Sequence, residues 1–397
     1  MVAGFSPGEA FSAGAHPLLH LLALLAATAA ALGILYTLLA AGLIGRFFAR
    51  PKAVPVEFPA VTVLKPLHGG EWGLRRNLAS FCAQDYPGPV QFLFGTNDAR
   101  DAALATVEEI RRDFPGAEIA VISDSRLYGL NRKVSNTINM LPHARHDVLV
   151  LADSDVAVAP DYLRCLVGEL QRPGVGLVTC AYRGEPDPGF WPRLSALAIN
   201  CQFLPSVVTG LALGLARPCF GQTIALRRET LRRIGGYEPF VNHLAEDYWI
   251  GDAVRQLGVR VAVPPFAIAH ASVETGLRQL LAHELRWSRT IRRIDPAGHL
   301  GSALIHPLPL ALLALLLSGG NPWGWGLAAA AVLSRFALKL SSDRALGQAP
   351  RDLWLLPLWD LLSFGIFVAS FASKRVTWRG HAFTVDRRGI LSPVETN

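Results

Sequence analysis

The sequence predicts an α/β fold: a mostly parallel, doubly wound sheet with membrane helices at its N-terminal and C-terminal ends. Three observations predict it. Strand-like and helix-like segments alternate between about residues 60 and 160, the pattern of a parallel sheet covered by helices. Long apolar runs bracket that region, and residues 21–45 hold no charge at all, enough for a helix to cross a hydrocarbon core of roughly 30 Å. Asp153-Ser154-Asp155 closes the apolar run 148–152. Open α/β sheets gather ligands beyond the carboxyl ends of strands, and two carboxylates there can hold a hard divalent cation.

Taken in order, residues 21–45 lack the short apolar core and cleavage box of a removable signal and read as a retained anchor. Arg46, Arg50 and Lys52 follow it and place the downstream chain in the cytoplasm. Residues 51–59 form a proline-bearing linker. Val61-Thr62-Val63-Leu64 then reads as a buried strand, and Leu74, Leu78 and Phe81 as one face of a helix. Strands at 92–94, 119–122 and 148–152 alternate with helices at 102–114 and 134–141. The stretch 194–215 is apolar but interrupted by Asn200, Gln202, Pro205 and Gly210. It is expected to lie on or dip into the bilayer surface, with a buried core segment as the alternative. Of the last apolar stretches, 304–317 and 327–340 look like a hairpin whose return to the cytoplasm is marked by Arg335, Lys339, Arg344 and Arg351. A third full span at 353–372 would put the basic residues 374–388 outside, against the positive-inside rule. Either that segment, broken by Pro357 and Asp360, is re-entrant, or one of the three is interfacial.

The net charge of +7 over 397 residues does not point to nucleic acid. The basic residues cluster beside apolar segments, at 227–233, 286–293 and 374–379, which suits anionic lipid headgroups, and no aromatic-studded RNA-reading signature accompanies them. Five cysteines form no C-x-x-C pair. They fit a reduced compartment and argue against zinc.

An Asp-x-Asp by itself is a turn or a helix cap. Here it has company: Asn97-Asp98 upstream, Glu246-Asp247 downstream, and His283-Glu284-Leu285-Arg286-Trp287 beyond. In that order the set resembles the four-part signature of inverting GT-A glycosyltransferases, and within them the ceramide glucosyltransferases. The run Gly129-Leu130-Asn131-Arg132-Lys133 looks like their Gly-x-Asn-x-Lys loop, and Ala245-Glu246-Asp247-Tyr248 like their acidic base motif. Residues 132–142 and 283–292 look most like the bacterial glycosyltransferase associated with hopanoid biosynthesis. The chain departs from the pattern at His283, where the superfamily usually has Gln or Arg.

The resemblance implies a GT-A, Rossmann-like domain and a role for each motif. Asp98 would bind the uridine, Lys133 the uridine or a phosphate, and Asp153 the ribose and metal side. Asp155 would ligate Mg²⁺ or Mn²⁺ through the donor diphosphate. Asp247 would be the general base for the acceptor hydroxyl. Arg286 offers a bidentate fork to the diphosphate, and Trp287 a wall for the acceptor; an interfacial Arg-Trp belt is the structural alternative. His270 and His283 receive no role.

The expected organisation is an anchor at 1–50, a cytoplasmic domain at 51–300 with its membrane-associated segment at 194–215, membrane segments at 301–373 and a basic tail at 374–397. The apolar segments are too few for the channel of a processive polysaccharide synthase, so an acceptor would enter sideways from the bilayer. The implied activity is transfer of N-acetylglucosamine from UDP-N-acetylglucosamine to bacteriohopanetetrol in the bacterial inner membrane. Two alternatives stand beside it: glucosylation or glucuronosylation of ceramide, and a non-catalytic membrane scaffold that binds nucleotide-sugar or lipid.

Overall fold

The computed structural model describes residues 17–393 other than 71, 72, 374, 379, 380 and 387. The chain opens with a long helix, α1 (Pro17–Phe48), and an extended linker. Then follow β1 (Val61–Pro66), α2 (Leu74–Cys82), β2 (Val90–Thr96), α3 (Ala103–Asp113), β3 (Glu118–Ser123), α4 (Arg132–Met140) and β4 (Val148–Leu151). Every strand and helix expected over this stretch is present. The four strands pair in parallel in the order β3-β2-β1-β4. Both faces are buried, so β1 and β4 are apolar almost throughout.

After β4 the regular alternation ends. Two residues form β5 (Val156–Ala157), followed by α5 (Tyr162–Leu170), β6 (Val175–Thr179) and β7 (Ala181–Pro186). A broken helix comes next: α6 (Phe190–Ala198), one wide π turn at Ile199–Phe203, and α7 (Leu204–Ala212). Then come β8 (Ile224–Arg227), α8 (Arg228–Arg233), α9 (Glu246–Gln256), β9 (Arg260–Ala262), β10 (Ala267–Ser272) and α10 (Leu277–Ile294). Strand β8 enters the main sheet antiparallel to β4 and β6, completing the order 3-2-1-4-8-6-9. Strands β5, β10 and β7 make a second small sheet. It is this sheet that carries the end of the Asp-Ser-Asp turn to the other half of the domain.

The segment expected at the bilayer surface is instead largely interior. Its polar residues, which suggested breaks, are satisfied inside the fold. Asn200 exchanges two hydrogen bonds with the Gly184 backbone of β7, at 2.8 and 3.0 Å, and Gln202 accepts from the Trp359 indole at 2.9 Å. Leu194, Leu204 and Val208 are buried, and only the ends present large apolar groups outward, Phe190 at one and Leu213 and Leu215 at the other.

The C-terminal region holds α11 (Pro296–Gly301), α12 (Pro307–Leu317), α13 (Pro322–Ala345) and α14 (Leu356–Ser370). The expected hairpin is α12 and α13, which pack against α1 through Ala30, Ala311, Ala328 and Ala331. Gly33 lets the Leu304 carbonyl approach so closely that a Cβ would sit 2.6 Å from it. Small residues at close helix crossings are how apolar helices associate where lipid already solvates side chains. Among the described residues three helical stretches are long and apolar enough to cross a membrane, Pro17–Phe48, Phe190–Ala212 and Leu353–Ser370, and a bent pair over Pro296–Leu317 makes a fourth if taken as one span.

Three expectations about this region change. Pro357 and Asp360 do not break α14: Pro357 lies in its first turn, where a missing N–H costs nothing. Asp360 is buried against Arg335 of α13. Arg335 and Lys339, expected to mark the chain's return to the cytoplasm, are each within a few per cent of full burial and paired, Lys339 with Asp343. Nor is the end of the chain a loose basic tail. It forms an antiparallel sheet of β11 (Arg375–Trp378), β12 (His381–Val385) and β13 (Leu391–Pro393). Val376, Phe383 and Leu391 pack with Leu244, and the Leu391 amide donates to the Asn242 carbonyl at 2.8 Å. This end of the chain therefore lies beside the central domain. Lys374, Arg379 and Arg387 lie outside the described residues.

Candidate active site

The carboxyl ends of β1 and β4 open into a cavity of about 960 Å³. One half is charged. Asp153 and Asp155 stand at the end of β4, and buried Lys65 of β1 donates to the Asp153 carbonyl at 2.7 Å, which pins the turn. Lys133 reaches in from the first turn of α4 and pairs with the Asp153 carboxylate at 2.6 Å and with Glu246 at 2.9 Å. Burial opposes its charge, but the two carboxylates prevail and hold its pKa above the usual lysine value.

The loop before α4 explains why this lysine arrives there. Asn131 caps α4 by accepting from the Lys133 and Val134 amides, and its own amide donates to Glu246 and to the His243 carbonyl, both at 2.9 Å. One side chain thus ties the start of α4 to the start of α9. Gly129 is obligatory because a Cβ would lie 2.6 Å from the Val241 carbonyl.

Glu246 and Asp247 form the first turn of α9, where the helix dipole favours anions. They face different partners. Glu246 is buried against Lys133 and Asn131. Asp247 lines the cavity and accepts from the Gly221 and Tyr248 amides at 2.8 Å each. Burial, then the charge of Glu246, pushes the Asp247 carboxyl up to about 6. Gly221 itself leaves no room: a Cβ there would stand 2.8 Å from the Lys133 ammonium and 3.5 Å from the Asp247 carboxylate.

Asp155 meets His270 of β10, Oδ2 to Nε2 at 3.3 Å. Burial works against its charge, yet facing His270 it titrates near 2. Its Oδ1 is buried with no hydrogen-bond partner among the described residues. An orphaned carboxylate oxygen beside a second carboxylate suits a hard cation. Among the described residues no three His, Cys, Asp or Glu side chains converge to hold a metal alone, so the remaining ligands of a cation here would come from a bound diphosphate.

The other half of the cavity is aromatic. On α10, His283, Arg286, Trp287, Thr290, Ile291 and Ile294 repeat at helical spacing along the lining face. Trp287 packs near Tyr182 and Phe203, at ring centroid distances of 6.3 and 6.1 Å. Tyr182 in turn stacks on Phe203 at 4.6 Å and meets Phe220 edge-on at 5.7 Å. His283 is 4.7 Å from Trp287 in an edge arrangement, and its Nδ1 bonds Glu274 at 2.5 Å. The unusual histidine thus braces the tryptophan. Arg286 lines the cavity between the two halves and makes no ion pair among the described residues.

The structure thus brings together Lys133, Asp153, Asp155, Asp247, Arg286 and Trp287. It does not bring Asp98 with them. That carboxylate is exposed and accepts from the Arg100 amide at 2.9 Å, an Asx turn, whereas its neighbour Asn97 lines the cavity. Lys65, Tyr182, Phe203 and Gly221 were not singled out in the sequence, and His270 was given no role. His270 sits beside Asp155 only because β10 pairs with the two-residue strand β5, a contact across more than a hundred residues with no local signal.

The comparisons with known proteins fit this geometry. The sequence model of glycosyl transferase family 21 matches residues 21–391. Ceramide glucosyltransferase 1 of Caenorhabditis elegans is 24% identical over 251 residues, covering 63% of this chain and 53% of that protein. An N-acetylglucosaminyltransferase of Bradyrhizobium diazoefficiens is 26% identical over 305 residues, 70% of this chain and 62% of that protein. The chain therefore spans about half to three-fifths of the length of these curated relatives. Among solved structures, a mannosyltransferase from Pyrobaculum calidifontis in complex with GDP-Man and Mn²⁺ superposes with a TM-score of 0.50 at 22% identity, over 89% of this chain and 99% of that one. That likeness establishes the fold as GT-A.

Proposed function

We propose that this chain, which belongs to glycosyl transferase family 21, transfers a sugar from a UDP-sugar to a hydroxyl of a membrane lipid with inversion. The observation that carries this reading is the division of one cavity into a charged half and an aromatic half. Lys133, Asp153, Asp155 and Arg286 suit a nucleoside diphosphate; Tyr182, Phe203 and Trp287 suit an apolar acceptor. The apolar side runs on to Leu215, just past the end of α7, and to Ile291, both of which are exposed. A lipid held there can keep its chains in the bilayer.

Asp153 and Asp155 would hold Mg²⁺ or Mn²⁺, which when bound neutralises charge on the diphosphate. Lys133 and Arg286 add positive charge on either side of the same group as it departs. Asp247 takes the acceptor proton. Its two backbone donors fix both carboxylate oxygens, and a pKa near 6 leaves it ionised at neutral pH while strengthening it as a base. Attack from the face opposite the leaving diphosphate gives a β-linked product from an α-linked donor.

For sugar and lipid we propose N-acetylglucosamine and bacteriohopanetetrol, in the inner membrane with the domain facing the cytoplasm. The support is the likeness of residues 132–142 and 283–292 to the hopanoid-associated enzyme and the bacterial N-acetylglucosaminyltransferase relative. The ceramide glucosyltransferase relative supports glucosylation of ceramide as the second reading. The test is to incubate the purified protein and Mn²⁺ with a panel of UDP-sugars and each lipid, then to identify products by mass spectrometry. A new β-linked glycolipid is expected; metal-dependent binding of UDP-sugar without turnover on any lipid would instead make the protein a scaffold.

A further inference from the structure

A second cavity, of about 540 Å³, lies on the other side of α7, at the end of α1. Four arginines from distant parts of the chain border it: Arg46 and Arg50 at the end of α1, Arg172 just after α5, and Arg260 of β9. One carboxylate, Glu169, lines it with them and is engaged by Arg172 at 3.3 Å. Among the described residues Arg46, Arg50 and Arg260 form no ion pair. The rest of the lining is apolar and comes chiefly from the two flanking helices, Leu43 and Phe47 of α1 and Val208 and Leu211 of α7. Guanidinium groups and an apolar wall that includes Leu43 and Phe47 of a potential membrane span together suit an amphiphile with an anionic head.

We propose that this cavity binds the headgroup of an anionic membrane phospholipid, with the phosphate among the arginines and the upper acyl chain against α1 and α7. The volume falls within the range of small-molecule sites, about 300–1,000 Å³. The location is where α1, the most apolar of the candidate spans, meets the α/β domain. Surface charge near a bilayer accounts for one or two of these arginines through the positive-inside preference. It does not account for Arg172 and Arg260, which come from the α/β domain and converge on the same cavity. The bound lipid would join α1, α7 and the small β6–β9 edge of the sheet, and so fix the domain's height over the membrane.

The test uses the full chain in detergent, with native mass spectrometry to count retained lipid. Wild type is expected to retain one phosphatidylglycerol in preference to phosphatidylcholine. Arg46→Gln/Arg260→Gln leaves Arg50 and Lys52 to set orientation and breaks no ion pair. At about fivefold per arginine near a membrane surface, it should weaken phosphatidylglycerol retention by about 25-fold. Arg227→Gln, an exposed arginine outside the cavity, should change nothing. Arg46→Lys/Arg260→Lys should keep most of the retention, and unchanged UDP affinity of each variant certifies that it is folded. Equal retention of the two lipids, or wild-type retention by the double Gln variant, would overturn the proposal. So would displacement of the lipid by millimolar glycerol phosphate, which would make this a site for soluble phosphates.

Discussion

The active-site cavity and the C-terminal helices each bury charges, and they complete them in opposite ways. Between α13 and α14 the Arg335 guanidinium meets the Asp360 carboxylate at 2.8 Å and donates its remaining arm to the Cys201 carbonyl at 2.9 Å. Lys339 meets both oxygens of Asp343 at 2.5 Å. None of these charged atoms lacks a partner. In the cavity, Asp155 Oδ1, His270 Nδ1 and Asn136 Oδ1 are buried without one among the described residues, and Arg286 has no ion-pair partner among them. A closed set of charges specifies how helices pack. An open set keeps capacity for something that arrives later, at a cost in stability that only a ligand can offset.

The largest expected effect follows from the open set. Asp247→Asn keeps the shape and one backbone contact but cannot take a proton, so turnover should fall by about 10²- to 10⁴-fold with UDP-sugar affinity nearly unchanged. Donor affinity by calorimetry and turnover by glycolipid formation separate the two quantities. A variant that loses donor binding as well would move Asp247 from base to donor-site residue.

In the closed set, removing one partner should affect folding rather than chemistry. Arg335→Ala strands a buried Asp360 and should cost about 3–5 kcal/mol, whereas Arg335→Met/Asp360→Leu, which removes both charges, should be near neutral. Thermal unfolding in detergent measures both. If the double variant is instead inactive while fully stable, the pair belongs with the site, and the contrast between the two regions fails.

A smaller effect follows from pH. Because the Asp247 carboxyl is raised to about 6, it is protonated below that value and unable to accept. The rate should therefore fall about tenfold for each unit of acidification below pH 6 and level off above it. In Asp247→Asn the residual rate should lose this dependence. A break at pH 4 in the wild type would assign the base to an unperturbed carboxylate.

The same contrast separates what was legible in the sequence from what was not. Closed features with a local signal could be read: the alternation that gives β1 to β4 and, through the resemblance, the motifs that hold Lys133 and Arg286-Trp287. Features completed by distant partners could not. Asn200 and Gln202 looked like breaks in an interfacial segment because their partners, Gly184 and Trp359, lie in other elements. Arg335 was read as a mark of the chain's return to the cytoplasm because its pairing with Asp360, on another helix, is a tertiary fact. Asp98 has the right motif, but its own turn absorbs its carboxylate.

The smallest effect probes one of the places where the two regions touch. The π turn at Ile199–Phe203 is held from the helix side by Arg335 on the Cys201 carbonyl and by the Trp359 indole on Gln202. From the same turn Phe203 enters the aromatic wall of the cavity. Trp359→Phe removes a single hydrogen bond, about 0.5–1.5 kcal/mol of stability, and keeps most of the buried ring. If the turn positions Phe203, the KM for the lipid acceptor should rise several-fold while the KM for UDP-sugar and the pH profile stay as in wild type. A purely structural role would lower thermal stability and leave both KM values alone. A rise in acceptor KM that Phe203→Ala reproduces without the loss of stability would show the closed region shaping the open one through a single turn of helix.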